Sequence, residues 1–138
     1  MWTYEHSVET QADADAVFAL FSDVSRWPQW NSGVERMELD GPFAAGTGGT
    51  MTIPGGETMA SKLIWVEEGH GFEDETAVPD AGVVVRVRHT LEAVDGGGTR
   101  ITFHCAVDGP GAAEVGAMVT ADFPEVMAAL GALAEGAR

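Results

Sequence analysis

Two side chains that can hold or move a proton fall on strand faces that the sequence predicts to point inward. In GVVVRVRHTLEA, alternation sets Arg86 and Arg88 on one face and His89 on the other. Because the two arginines belong in water, His89 is predicted to lie inside the protein. Asp74 falls on the inward face of HGFEDETAV by the same alternation. A carboxylate and an imidazole in an apolar interior could act as a general base, or could orient a carbonyl or hydroxyl group of a ligand.

Simpler roles for these two residues stay open. A buried histidine often serves only as the hydrogen-bond partner of a neighbouring backbone or side-chain group. Asp74 belongs to a run of three acids, and one inward carboxylate can mean only that the strand end reaches solvent. The hypothesis is that His89 is the principal polar group of the interior, with His89 and Asp74 as the catalytic candidates.

The segment SRWPQWNSGVE holds two of the four tryptophans of the chain. Trp27 is predicted to close the core where short helices meet the sheet, with lining of a ligand site as the alternative. Trp30 could do the same or could line a ligand site. Apolar pockets carry a few polar groups that orient the ligand, and Asn31 is a candidate for that role. An exposed asparagine in a turn is the more common alternative.

Alternation and helical spacing give the remaining candidate ligand contacts. They are the inward or core-facing residues Met51, Ile53, Met59, Leu63, Phe72, Val87, Phe103, Cys105, Met118, Phe123 and Met127. Flexible thioether chains suit irregular apolar ligands, and they also pack ordinary cores. Cys105 is expected to be a small buried hydrophobe, because the adjacent His104 faces the other way and no helix begins there to activate a thiol.

Periodicity predicts the elements that position these residues. WTYEHSVET (2–10) indicates a strand, and apolar residues at helical spacing predict a short helix over about 14–22 with Asp13 as its cap. Ser25 is predicted to cap a second, very short helix around residues 26–29. Together these place two short helices after the first strand.

Six strand-like runs follow: GVERMELDG, GTMTIPGG, ETMASKLIWVEEG, HGFEDETAV, GVVVRVRHTLEAVDGGG and TRITFHCAVDG. Turn residues separate most of them, which indicates an antiparallel meander. Residues 112–136 predict one long amphipathic helix with a kink at Pro124. The predicted fold class is α+β, a seven-stranded curved antiparallel sheet wrapped around the C-terminal helix. One helix about 10 Å wide cannot fill such a sheet, so large side chains or a cavity must occupy the remaining volume.

Length and composition restrict the class of protein. The 138 residues suit a single domain, 1–138, and the formal charge of −15 argues against nucleic-acid partners and anionic membranes. We find no signal-peptide pattern and no apolar run of about 20 residues, so we expect no stable membrane insertion and a cytoplasmic location. One cysteine and four scattered histidines offer no metal-ligand spacing, and no cofactor is expected. Monomer and homodimer both remain open.

The order and spacing of several motifs resemble the START-like or Bet v 1-like superfamily (SRPBCC), within it the polyketide cyclase/dehydrase type. The motifs are FSD followed by RWPQWN, LDGPFAAGTGGTMTI, RHTLEAVDGGGTRIT, VDGP and ADFPEVMAALGALAE. They span nearly the whole chain. The resemblance implies a helix-grip cup that binds a small hydrophobic molecule, such as a lipid or polyketide, between sheet and long helix. It carries no universal catalytic signature.

Three functions are therefore weighed. The first is binding or carrying of a small hydrophobic or aromatic ligand. The second is a polyketide cyclase, aromatase or dehydratase in which His89, with Asp74, moves protons. The third is a structural or regulatory domain whose interior has collapsed, and a pocket below about 300 Å³ would favour it because drug-sized ligands would not fit.

Overall fold

The computed structural model describes residues 1–136. In chain order the elements are β1 (Trp2–Thr10), α1 (Ala14–Ser22), α2 (Trp27–Trp30), β2 (Arg36–Leu39), β3 (Gly48–Thr52), β4 (Thr58–Glu67), β5 (Gly71–Val78), β6 (Val83–Ala93), β7 (Thr99–Asp108), α3 (Ala112–Thr120) and α4 (Phe123–Gly136). The strands form one antiparallel sheet in the order β1-β7-β6-β5-β4-β3-β2. The predicted meander is confirmed, and β1 joins it by pairing with the last strand.

The two short helices lie where the sequence predicts them, but only one has the predicted cap. Asp13 accepts a hydrogen bond from the Ala16 backbone N–H and so satisfies a free donor at the start of α1. Ser25 caps no helix, and its hydroxyl bonds the Asp23 carboxylate instead. It lies inside a 3₁₀ turn that precedes α2. Pro28 makes the cap dispensable, because a proline in the first turn of a helix removes a donor that would lack a partner.

Alternation along β5, β6 and β7 sorts side chains as predicted, with His89, Phe103 and Asp74 buried. The outer face carries the charges, including an ion pair between Arg88 and Glu73. A β-bulge between Leu63 and Trp65 interrupts β4 and reverses the later side chains of that strand. Trp65, which strict alternation from Leu63 would place inside, lies on the outer face with the Arg88 guanidinium 4.0 Å from its ring centre.

The C-terminal helix breaks where a kink was predicted. α3 ends at Thr120 and α4 begins at Phe123, so Pro124 is the second residue of a new helix. Its missing N–H costs nothing there, because the first-turn donors of a helix have no intrahelical partner. Only two residues separate α3 from α4, and the two helices together cover the sheet.

The segment Ala112–Gly136 is long and apolar enough to suit a membrane span by length and composition alone. The sequence was expected to contain no such stretch. In the structure α4 instead buries one face against the sheet, with Phe123, Val126, Met127, Leu130 and Ala134 in the core. It is thus the core helix of the fold.

Candidate ligand cavity between the sheet and the C-terminal helices

A cavity of about 380 Å³ lies between the inner face of the sheet and the C-terminal helices. Its wall combines α2 and the loop after it, the β3–β4 hairpin, the inner faces of β5 to β7, and both C-terminal helices. The predicted candidates in this wall are Trp30, Asn31, Met51, Ile53, Met59, Phe72, Asp74, Val87, His89, Phe103, Met118 and Phe123. The structure therefore brings together in one place most of the residues chosen from alternation.

Aromatic rings fix the position of His89 in the cavity wall. Phe72, directly opposite on β5, stacks on the imidazole with ring centres 4.0 Å apart and planes 10° apart. Phe103 of β7 meets the imidazole edge-on at 4.4 Å. Gly71 permits this close pairing at the start of β5, because an added Cβ would collide with the His89 carbonyl oxygen. The ring is therefore held in one orientation.

The hydrogen bond of His89 decides which of its nitrogens can meet a ligand. Nδ1 lies 3.2 Å from the Phe72 carbonyl oxygen. A carbonyl can only accept, so Nδ1 carries the proton and Nε2 keeps its lone pair. Burial lowers the pKa of His89 from 6.5 to about 3, and the contact with the Phe72 carbonyl offsets only part of this. His89 is thus a neutral hydrogen-bond acceptor at neutral pH and cannot serve there as an acid.

Asp74 is the group in the cavity wall that titrates near neutral pH. It is 8% exposed and lies opposite Leu63 and Val87 in the sheet. Burial raises its pKa from 3.8 to about 7, although backbone N–H groups favour the charged form. Asp74 does not hydrogen-bond to His89; the two are diagonal neighbours on adjacent strands. The carboxylate–imidazole pair considered from the sequence is not formed as a bonded pair.

The two tryptophans of α2 both line the cavity, and both are nearly inaccessible to solvent. Trp27 closes the core as predicted: its Nε1–H donates to the Phe21 carbonyl at 2.9 Å, and its ring stacks on Phe72. Trp30 packs against Phe21 and Trp27. Its Nε1, by contrast, has no partner among the residues that the structure describes.

Three of the predicted ligand contacts lie outside the cavity wall. Leu63, Cys105 and Met127 are fully buried in the core. Alternation placed them inside correctly, but neighbouring side chains cover them. Burial raises the pKa of the Cys105 thiol to about 11, so it stays protonated and unreactive as expected.

Met118 and Asn31 also lie in the wall, Met118 against the prediction that it faces inward and Asn31 in the turn role given as its alternative. Met118 was predicted to face inward, but it is 78% exposed at the rim of the cavity. The predicted face of Val115, Val119 and Phe123 does continue through α3, and Met118 lies beside it, because it precedes Val119 by one residue, or about 100° around the helix. Asn31 uses its side-chain oxygen to accept the Gly33 backbone N–H at 2.9 Å, which is a turn contact.

Several wall residues were not among the sequence candidates. They are Trp27, Gly33, Val34, Pro54, Thr76, Val78, Val85, Val119, Asp122 and Val126. The alternation that selected Val87 also places Val85 inside, so that residue could have been found. Gly33, Val34, Pro54 and Asp122 lie between elements, where no periodicity exists to indicate a direction.

Comparison with known proteins connects this geometry to a family. A family model described as "Polyketide cyclase / dehydrase and lipid transport" matches residues 1–135. No curated protein matches the chain. Among solved structures, protein MLL2253 from Mesorhizobium loti has a TM-score of 0.83 at 13% identity, covering 99% of each chain.

Two other solved structures are of Bet v 1-like proteins. Ara h 8.0201 has a TM-score of 0.77 at 19% identity, covering 98% of each chain. A point mutant of norcoclaurine synthase from Thalictrum flavum, in complex with a transition-state analogue, has a TM-score of 0.76 at 18% identity. That match covers 98% of this chain and 94% of the other. At these identities the likeness confirms the helix-grip fold alone.

Proposed function

The chain belongs to the polyketide cyclase/dehydrase and lipid transport family, and from that membership we propose that it binds a small hydrophobic or aromatic molecule in the cavity between sheet and helices. The observation that carries this proposal is the cavity itself. Its volume of about 380 Å³ lies within the range of small-molecule sites, at the lower end. The volume also exceeds about 300 Å³, below which a structural or regulatory domain with a collapsed interior would be favoured.

The chemistry of the wall supports an apolar guest. Aromatic rings form its deep part, with Phe72, Phe103 and Trp27 each almost fully buried. Met51, Met59 and Met118 also line the cavity and are less buried than these rings, and their flexible chains can adapt to a ligand's outline. Moving an apolar molecule from water to such a wall is favourable by roughly 25 cal/mol for each Å² buried.

A cavity-filling variant tests the proposal. Val87 lies on the inner face of β6 in the cavity wall, whereas Val84 lies on the outer face of the same strand. Val87→Phe should weaken binding of isopropylnaphthalene, a purely apolar probe, at least tenfold in equilibrium dialysis. Val84→Phe adds the same volume outside the cavity and should leave binding unchanged. Equal binding by both variants, or none by the natural chain, would refute the proposal.

A second function, catalysis of proton transfer on a polyketide-like ketone, is favoured by one observation. Asp74 lies in the cavity wall with a pKa of about 7, which suits a general base at neutral pH. This shifts the catalytic role from His89, the first candidate, to Asp74. The neutral imidazole of His89 would then orient the substrate.

Hydrogen exchange tests that second function without knowledge of the natural substrate. Acetylnaphthalene carries exchangeable protons beside its carbonyl group, and a carboxylate base at that carbon would speed their replacement by deuterium. The natural chain should accelerate the exchange, and Asp74→Asn should abolish the acceleration while still binding the ketone. No acceleration above the rate in buffer would leave binding as the proposed function.

A further inference from the structure

His89 has a hydrogen-bond acceptor that the folded chain leaves unused. Its Nδ1–H donates to the Phe72 carbonyl, so Nε2 carries a lone pair and no proton. Nε2 forms no hydrogen bond with any residue in the 1–136 part of the chain. Within that part, Trp30 Nε1 is the one fully buried side-chain nitrogen or oxygen that lacks a partner. Nε2 of His89 is therefore not fully buried, and it retains surface that another molecule can touch.

The open surface of His89 belongs to the cavity. β6 pairs with β5 on one edge and with β7 on the other, and the His89 ring lies on the inner face between them. The imidazole is 6% exposed and is part of the cavity wall. Its Nδ1 is turned to the backbone of the sheet at Phe72. Nε2, on the other side of the ring, is therefore turned away from the sheet and towards the cavity.

Packing does not account for both nitrogens of this imidazole. The stack on Phe72 would be formed equally well by a phenyl ring, and the hydrogen bond to the Phe72 carbonyl uses Nδ1 only. Burial lowers the pKa of His89 to about 3, so the ring is neutral and Nε2 stays an acceptor at neutral pH. An acceptor in apolar surroundings costs free energy unless a donor meets it. The donor for Nε2 must come from a molecule in the cavity.

The charges of the wall restrict that molecule further. Asp74 and Asp122 are the acidic residues of the wall, which holds neither lysine nor arginine. The chain as a whole carries a formal charge of −15. A carboxylate entering this cavity would lose its hydration without gaining a cation and would face like charges, which is strongly unfavourable. A hydroxyl group supplies the donor without bringing a negative charge.

From these features we propose that the ligand is a largely apolar molecule whose hydroxyl group, phenolic or alcoholic, donates a hydrogen bond to His89 Nε2, and that it carries no carboxylate. A ketone or ether oxygen cannot form this contact, because such an oxygen and Nε2 both only accept. This inference rests on the proposed function and specifies the polar group and the charge of the molecule that the cavity would hold.

Three naphthalene probes of similar shape test the inference. Naphthol is a phenol that stays un-ionised at neutral pH and donates a hydrogen bond. Methoxynaphthalene has the same oxygen without the proton, and naphthoate carries a negative charge. In equilibrium dialysis at neutral pH, the natural chain should bind naphthoate at least tenfold more weakly than naphthol. Naphthoate binding as tight as that of naphthol would overturn the inference.

His89→Phe then removes the acceptor while keeping an aromatic ring. The ratio of naphthol affinity to methoxynaphthalene affinity should fall about two- to tenfold relative to the natural chain, which is the contribution of one hydrogen bond. The ratio cancels any change in cavity volume that affects both probes alike. His104→Phe, the same substitution on the outer face of β7, is the matched control and should leave the ratio unchanged. An unchanged ratio in His89→Phe would show that Nε2 does not accept from the hydroxyl and would overturn the inference.

A measurement on the natural chain keeps the test valid if His89→Phe folds poorly. The nitrogen resonance of His89 Nε2, observed by nuclear magnetic resonance, should move upfield when naphthol is added, because an accepted hydrogen bond shields an unprotonated imidazole nitrogen. Methoxynaphthalene should move it much less. The same shift with both probes, or with neither, would overturn the inference. If none of these probes binds and isopropylnaphthalene does not bind either, the proposed function itself fails; if isopropylnaphthalene binds but naphthol shows no dependence on His89, only this inference fails.

Discussion

Asp74→Asn should reveal how strongly the cavity wall resists a negative charge. Burial on the inner face of β5 raises the pKa of this carboxyl from 3.8, the value taken for the unfolded chain, to about 7. Between these two values the unfolded chain has released the proton while the folded chain still holds it. The stability of the natural chain therefore falls as pH rises through this window and levels off above about pH 7.

The size of the effect follows from the same two pKa values. At about 1.36 kcal/mol for each pKa unit, the difference between 3.8 and about 7 corresponds to about 4 kcal/mol. Asparagine cannot ionise, so the variant escapes this penalty. Its free energy of unfolding relative to the natural chain should therefore rise by about 4 kcal/mol between about pH 4 and pH 8. Any change in hydrogen bonding caused by the amide adds an offset that does not vary with pH.

Urea unfolding followed by tryptophan fluorescence measures this difference at each pH. Asp80→Asn, which removes an exposed carboxylate from the turn between β5 and β6, is the control for the loss of one acid. Subtracting the natural chain cancels the pH dependence of the other acidic residues. A difference between Asp74→Asn and the natural chain that stays constant over this pH range would refute the assignment of a proton to the folded cavity wall.

The other predictions concern the groups around the cavity. The pKa of His89 is about 3 in the folded chain and 6.5 in the unfolded chain, so the stability of the natural chain falls as pH drops between these values. The free energy of unfolding of His89→Gln, relative to that of the natural chain, should therefore rise by roughly 4–5 kcal/mol from pH 7 to about pH 3. A difference between the two chains that stays constant with pH would contradict this. Gly116→Ala should lower stability by about 1–3 kcal/mol in thermal unfolding, because the added Cβ overlaps the Trp2 ring; an unchanged melting temperature would show that Trp2 moves freely. Cys105 is buried, and its pKa is raised to about 11. Its thiol should therefore react with iodoacetamide no faster than the chain unfolds. Rapid labelling of the native protein, measured by mass spectrometry, would contradict its burial.

The sheet could be predicted because its information is local. Period-two alternation and turn residues predict the six consecutive strands, and the positions of Arg86 and Arg88 indicate which face of β6 is exposed to water. That reasoning placed His89 and Asp74 inside correctly. The same reasoning would fail for β4 beyond Leu63, where a bulge adds a residue that no composition signal marks.

The cavity wall was predicted less completely, because facing inward differs from lining a cavity. Leu63 and Cys105 point inward like Phe72 and Phe103, yet other side chains cover them. Whether a side chain is covered depends on where the helices cross the sheet, and alternation does not contain that. Whether the Trp30 indole nitrogen has a hydrogen-bond partner likewise depends on which groups the folded chain brings near it.

Methyl resonances of the six methionines test most directly whether the cavity holds a guest. Met51, Met59 and Met118 lie in its wall, whereas Met1, Met37 and Met127 do not. On titration with acetylnaphthalene, ring currents should shift the first three methyl signals and leave the other three in place. If no methyl moves, or if the signals of Met1, Met37 and Met127 move as much as those of the wall, the interior does not bind the probe and the account is wrong.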